Sequence, residues 1–302
     1  MNSVKSTLVP NSKSTKEICS FKTIDIIGQY ENLGIDVSRY FIGLETISLY
    51  ECLETGFRFY YPPQTIGDGQ FYEDLSKTRK GYYSDRWEHN ETLKYLSQND
   101  SVLEVGSGFG AFLSKLKKKK IKAKGLELNQ NAVHTCLADG LNVEYKLIED
   151  IKEKGEKYNV VCYFQVLEHV YEAHNFIKNS IEVLESKGKL IFGVPNNNPY
   201  LFISDKNHTL NLPPHHAGLW SKKAIQSLGN VFPIELIHLE FEPLAASYGE
   251  FLNFHTSQNS NSVIRFSLKM CNKFVPRLLK RCLCFFIKGR NVLAVFQKKQ
   301  GL

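Results

Sequence analysis

Residues 101–116 read SVLEVGSGFGAFLSKL: an apolar run, three glycines at alternate positions, then helical spacing. No other stretch limits the fold so strongly. A buried strand that ends in glycines and turns straight into a helix brings bare backbone within contact distance of a ligand, because glycine has no Cβ. Such a turn holds a nucleotide. Strand and helix then keep alternating. KAKGLEL is a strand, NAVHTCLADG a helix stopping at Gly140, and NVEYKLIED a strand. YNVVCYFQVLEHV opens as a buried strand, and AHNFIKNSIEVLES is a helix ended by Gly188. KLIFGVPN, SKKAIQSLGN, IELIHLEFEP and NVLAVFQKK continue as strand, helix, strand and last strand. Near-continuous apolar strands between amphipathic helices predict an α/β, Rossmann-like, doubly wound and mostly parallel sheet covered on both faces.

The flanks differ from this centre. Residues 1–17 are polar and rich in Ser and Lys, with no apolar core of a signal peptide, and are expected to form a flexible arm. Residues 18–85 read as a small β-rich cap, with two strands around Thr55-Gly56 ended by Pro62-Pro63. GDGQFYEDL is a turn into a helix, and a further helix starts at Asp85, with Asp85 as its cap and Glu88 as the partner acid. Residues 86–302 form the main domain, interrupted by a helical insertion at 251–290. In that insertion Ile264, Leu268, Cys271 and Val275 make one apolar stripe, and Leu278, Leu279, Cys282 and Phe286 another. No run is long and apolar enough for a membrane span. The seven scattered cysteines point to free thiols in a reducing cytoplasm.

Charge is uneven. The chain carries a net +7, yet after Glu250 there are ten Lys or Arg and no Asp or Glu. KLKKKKIKAK at 115–124 is a second basic cluster, read as the solvated face of a helix with Leu113, Leu116 and Ile121 turned inward.

Gly106, Gly108 and Ala111 satisfy the dinucleotide pattern, with Glu127 at the usual distance for a ribose partner. Two features argue against a dinucleotide. Glu104 stands two residues before the first glycine, where a carboxylate would repel a pyrophosphate but suit an ammonium. Gly110 adds a third glycine. VLEVGSGFGAFL, GLELN, YNVVCYFQVLEHV and LESKGKLIFGVPN, in this order, resemble the class I S-adenosylmethionine-dependent methyltransferases. The likeness is strongest to small-molecule enzymes such as the ubiquinone-biosynthesis O-methyltransferases and the sugar and polyketide methyltransferases. It covers about residues 86–250 and the last strand, and implies a seven-stranded sheet whose final strand is antiparallel.

The resemblance implies S-adenosylmethionine as cofactor. Glu104 and the turn of Gly106, Ser107, Gly108 and Gly110 would hold its methionine end, and Glu127, followed by Leu128, its ribose. Glu149 or Asp150 would meet the adenine, and Gln165 would line the sulfonium region. For a hydroxyl acceptor a base is needed, and histidine is the usual one. QVLEH offers His169, and PPHHAGLW offers His215 and His216. In relatives with E-x-x-E-H that segment binds a divalent cation. Here the first acid is Gln165, so no metal is expected, with Glu168, His169 and His215 as the alternative ligand set. Trp220 and Tyr200 could wall an acceptor. Many relatives also begin with a four-cysteine zinc module. In this chain Thr55 and Lys22 replace two of the thiols while Cys19 and Cys52 remain, so no zinc is expected.

The expected substrate is a small molecule carrying a hydroxyl, such as a sugar, a glycan precursor or a secondary metabolite, with no nucleic-acid partner. Two rivals stand beside it. One is methylation of RNA or another polyanion through the basic segments. The other is a non-catalytic protein that binds membrane surfaces through 263–288. The insertion itself reads either as a lid over the acceptor pocket or as a peripheral membrane contact. Oligomeric state is open.

Overall fold

A computed structural model describes residues 4–12, 14–78, 85–197, 209–257, 259 and 261–300. The amino-terminal part contains β1 (Thr15–Lys22), α1 (Thr23–Glu31), β2 (Thr46–Cys52), β3 (Arg58–Tyr61) and α2 (Gly69–Thr78). Next come α3 (Trp87–Thr92), β4 (Ser101–Val105), α4 (Ala111–Lys118), β5 (Lys122–Leu126), α5 (Gln130–Ala138), β6 (Val143–Glu144) and α6 (Ile148–Glu153). The second half runs β7 (Tyr158–Phe164), α7 (Ala173–Glu182), β8 (Leu184–Pro195), β9 (Gly218–Leu219), α8 (Lys222–Val231) and β10 (Ile234–Pro243). It closes with α9 (Tyr248–Ser257), α10 (Ser262–Phe274), α11 (Pro276–Phe286) and β11 (Lys288–Lys298).

Seven strands form the main sheet in the order β10-β11-β8-β7-β4-β5-β6. β6, β5, β4, β7 and β8 are mutually parallel, whereas β11 runs antiparallel to both β8 and β10. The expected Rossmann-like sheet with its antiparallel last strand is therefore present. Period-two alternation on β7 feeds two cores. Val160, Cys162 and Phe164 join Phe112, Leu113 and Val133 of α4 and α5 on one face. Val161 and Tyr163 join Ile177 of α7 and Ile225 of α8 on the other. As expected for the 115–124 run, Leu113, Leu116 and Ile121 are buried.

A second sheet, β1-β2-β3-β9, forms the cap over its own core of Ile26, Tyr30, Phe41 and Phe71. Its last strand comes from far downstream. Phe59 pairs with Gly218, and the Tyr60 amide donates to the Ala217 carbonyl at 3.0 Å. The loop 212–217 is thus stitched between cap and main sheet, since the Ala217 amide also donates to the Glu168 carbonyl at 2.8 Å.

Several expectations are corrected. The arm is not loose: Leu8 is fully buried in the main core, and the His174 amide donates to the Thr7 carbonyl at 3.0 Å. β1 begins inside the arm, at Thr15. The strand expected over NVEYKLIED is only two residues long, because the Asp150 carboxylate accepts the Leu147 amide at 2.8 Å and starts α6. Gly188 does not end a helix. α7 stops at Glu182, and Gly188 lies in an irregular stretch of β8, where a Cβ would stand 2.9 Å from the Glu185 carbonyl oxygen. Asp85 does not cap α3; its carboxylate meets His89 and Lys115, and Glu88 turns into the core. The insertion has a third helix, α9, and no side chain of α10 or α11 is fully buried.

Candidate functional site

A cavity of about 600 Å³ opens at the carboxyl ends of β4, β5 and β7, where the strand order reverses. The glycine turn forms its floor. Gly106, Gly108 and Gly110 have φ of 72°, 51° and 74°, the left-handed region that a side chain disfavours. Contacts repeat the demand: a Cβ on Gly106 would stand 2.5 Å from Val166 Cγ2. The amides of Gly106 and Ser107 both donate to the Leu126 carbonyl, tying the turn to the end of β5.

Two of the carboxylates that line this cavity stand beside the glycine turn. The Glu127 carboxylate accepts amide hydrogens from Gly108 at 2.7 Å and from Leu128 and Asn129 at 2.8 Å. It is thereby held in one orientation with lone pairs to spare. Glu104 is buried, and its Oε2 has no hydrogen-bond partner among the described residues. Burial, and then the nearby Glu127, push its carboxyl well above the usual range. A buried, unpartnered carboxyl at a cavity wall is complementary to a cationic group. These features fit the amino-acid and ribose ends of S-adenosylmethionine.

The cavity gathers Glu104, Gly106, Ser107, Gly108, Glu127, Leu128, Glu149, Gln165 and His169. Gly110 instead caps α4, and Asp150 caps α6, so of the two adenine candidates only Glu149 reaches the wall. Glu149 accepts a hydrogen bond from Asn179 at 2.9 Å. Gln165, itself at φ 56°, donates from Nε2 to Glu88 at 2.8 Å.

The histidines from two distant segments meet. His169 and His215 have ring centroids 4.6 Å apart, and His215 and His216 stack at 4.6 Å. His169 Nδ1 donates to the His215 carbonyl at 2.6 Å, and His215 Nδ1 donates to the Leu210 carbonyl at 2.8 Å. A carbonyl only accepts, so Nδ1 carries the proton in each ring and Nε2 is the basic nitrogen. Burial holds His169 down at about 4, opposed by the carbonyls of His215 and Gln165. Beside it, Glu168 is buried with Oε2 unpartnered, and burial raises it to about 8. Only His169 of the three rings reaches the cavity; His215 and His216 stand behind it.

The alternative metal set of Glu168, His169 and His215 is not the one assembled. Ligand atoms of His169, His215 and His216 lie within 4.8 Å of one another, while Glu168 is left out. Gln165, bonded to Glu88, is turned to another partner. Three imidazoles of this kind could hold a transition metal, with the carbonyls orienting the rings.

Other expectations move. Trp220 is fully buried against Phe57, with centroids 4.4 Å apart, and is core rather than a pocket wall. Tyr200 lies outside the described residues. No described residue of the helical insertion lines the cavity. In its place the cap contributes Tyr72 and Glu73 from α2, whose approach depends on a tertiary contact: Tyr72 donates to the His215 carbonyl at 3.1 Å. Arg86 and His89, at the start of α3, were also missed. His89 is buried between Phe112 and Phe164 and held down at about 4 by burial. In the cap turn Thr55, which replaces a thiol, accepts the Phe57 amide at 3.2 Å.

A family model described as "Methyltransferase domain" matches residues 77–240. The chain is 28% identical over 169 residues to a ubiquinone biosynthesis O-methyltransferase of Pseudomonas savastanoi pv. phaseolicola, covering 49% of this chain and 71% of the relative. A Coxiella burnetii protein of the same name is 27% identical over 136 residues, covering 40% and 58%. Among solved structures, an S-adenosylmethionine-dependent methyltransferase from Archaeoglobus fulgidus aligns with a TM-score of 0.48 and 14% identity, over 76% of this chain and 100% of that one.

Proposed function

This chain belongs to the methyltransferase-domain family and is a class I S-adenosylmethionine-dependent enzyme, and from that premise we propose that it methylates a hydroxyl of a small-molecule acceptor, with His169 as the base. A sugar, a glycan precursor or a secondary metabolite fits this description. The observation that carries the reading is His169 at the cavity wall, neutral and oriented by the His215 carbonyl. The O-methyltransferase name of the curated relatives supports a hydroxyl acceptor.

When bound, the cofactor supplies a methyl group already activated on a sulfonium, so the protein's work is positioning and proton removal. In this reading Glu104 would answer the cofactor's ammonium, and the Glu127 side chain would accept both ribose hydroxyls. Glu149 takes the adenine edge. His169 Nε2 would take the acceptor's proton as the acceptor oxygen bonds to the methyl carbon and that carbon's bond to sulfur breaks, its electron pair staying on sulfur as a neutral thioether. The imidazolium so formed is stabilised by the carbonyls of His215 and Gln165. Tyr72 and Glu73 of the cap frame the acceptor's side of the cavity.

The test is transfer of labelled methyl groups to a panel of phenols and sugars, by wild type and by His169→Ala. Labelled ether formed by wild type and lost in the variant, with cofactor affinity kept, supports the reading. Label entering only amines or RNA, or a variant that turns over normally, overturns it.

A further inference from the structure

The basic insertion lies apart from the cavity, and its exposed side chains are of an unusual kind. No residue of α10 or α11 is fully buried. Leu283 and Cys284, with Ile287 just beyond α11, pack half-buried against Leu244 and Phe251, and Leu268, Met270 and Leu279 are half-buried as well. The rest of the apolar surface faces outward: Val263, Phe266 and Phe274 on α10, and Leu278, Phe285 and Phe286 on α11, each more than half exposed. Phe285 and Phe286 reach 76% and 78% exposure. Soluble surfaces carry single exposed hydrophobes, but not two adjacent helices studded with them.

Cations accompany the hydrophobes. Arg265, Lys269, Lys273, Arg277, Lys280 and Arg281 lie on the same two helices, and no acid follows Glu250 in the chain. Charge decides among occupants. A second copy would bring the same positive surface against itself and be repelled. A nucleic acid would satisfy the cations and leave the phenyl groups in water. An anionic bilayer answers both, with lipid phosphates for the cations and the acyl boundary for the rings.

Topology adds a reason. The insertion leaves the main sheet between Pro243 and Lys288, which pair with each other, and Asn291 pairs with Pro195 at the carboxyl end of β8. The cavity opens at the carboxyl ends of the strands parallel to β8. Helices and cavity therefore share one edge of the sheet.

We propose that α10 and α11 form a peripheral docking surface for anionic membranes, which sets the edge bearing the cavity against the bilayer. No described helix is long and apolar enough to cross a membrane, so the contact is interfacial. The proposal does not depend on which atom is methylated.

The test is co-sedimentation of the full chain with phosphatidylcholine vesicles, with and without phosphatidylglycerol, at low and high salt. The expected result is pelleting with the anionic vesicles alone, weakened by salt. Arg277→Gln with Arg281→Gln should weaken partitioning roughly thirtyfold, about fivefold for the charge attraction lost at each residue. Phe285→Ser with Phe286→Ser should weaken it as well while leaving salt sensitivity in place. All four positions are exposed and remote from the cavity, so cofactor titration serves as the folding control. Failure of folded wild type to pellet with anionic vesicles overturns the proposal. So does equal binding by the variants, or retention of polyuridylate in place of vesicles. Cofactor binding that persists in such a case leaves the methyltransferase reading standing.

Discussion

The Glu127 carboxylate accepts the Gly108 amide hydrogen at 2.7 Å, joining the end of β5 to the glycine turn after β4. The two motifs are 19 residues apart in sequence, yet this hydrogen bond, with the Gly106 and Ser107 amides on the Leu126 carbonyl, makes them a single wall of the cavity. It also fixes the carboxylate that the ribose would meet. Glu127→Ala removes that acceptor and leaves the Gly108 amide without its partner. Cofactor affinity should fall on the order of a hundredfold by calorimetry, as for loss of two charge-assisted hydrogen bonds. Glu127→Gln should lose less, since it keeps one acceptor oxygen. Unchanged affinity in the alanine variant contradicts the ribose role.

Glu104 presents the opposite balance. Its buried, unpartnered oxygen costs the cofactor-free protein stability, because a carboxylate is poorly solvated there. Bound cofactor repays this through its ammonium. Glu104→Gln should therefore raise the thermal midpoint of the free protein while weakening cofactor binding about tenfold or more. Loss of both stability and binding would instead mean that the residue serves only packing.

Much of this was legible because it is local. Strand, glycine turn and helix follow from alternating apolar spacing, and Glu104 and Glu127 stand at fixed offsets from the glycines. What was hidden is long-range. Nothing near 218 announces that Gly218 will pair with Phe59, and that pairing carries His215 and His216 to His169. Tyr72 reaches the cavity through the same join. The shortness of β6 has a different cause: Asp150 diverts the backbone by a side-chain bond that hydrophobic pattern does not encode.

Leu8 offers a test of the amino-terminal segment. It is fully buried in the core shared by β4, β7 and β8, although in sequence it lies just before the cap strand β1 and far from those three strands. Leu8→Ala should destabilise the protein by about 2–5 kcal/mol through lost burial and the cavity left behind. The urea midpoint should drop without a change in slope. A variant as stable as wild type would show that the segment contributes nothing to the core.

The buried ionisable groups near His169 give stability two opposing slopes with pH. His89 and His169 are both held at about 4, below the ordinary value of 6.5. Unfolded chains protonate them first, so their contribution is complete above pH 6.5 and is lost as pH falls through 4. Glu168 runs the other way. Its carboxyl is raised from 4.5 to about 8, so the folded state keeps a proton that the unfolded state has shed. That contribution is complete below pH 4.5 and is lost as pH rises through 8. A shift of that size corresponds to something on the order of 5 kcal/mol. Glu168→Gln cannot ionise, so between pH 5 and pH 8 its urea midpoint should fall less than that of wild type. His169→Gln should lose less stability than wild type between pH 6.5 and pH 4. Parallel pH profiles for wild type and Glu168→Gln would mean that Glu168 is already ionised in the folded protein at neutral pH, where its charge would favour protonation of His169.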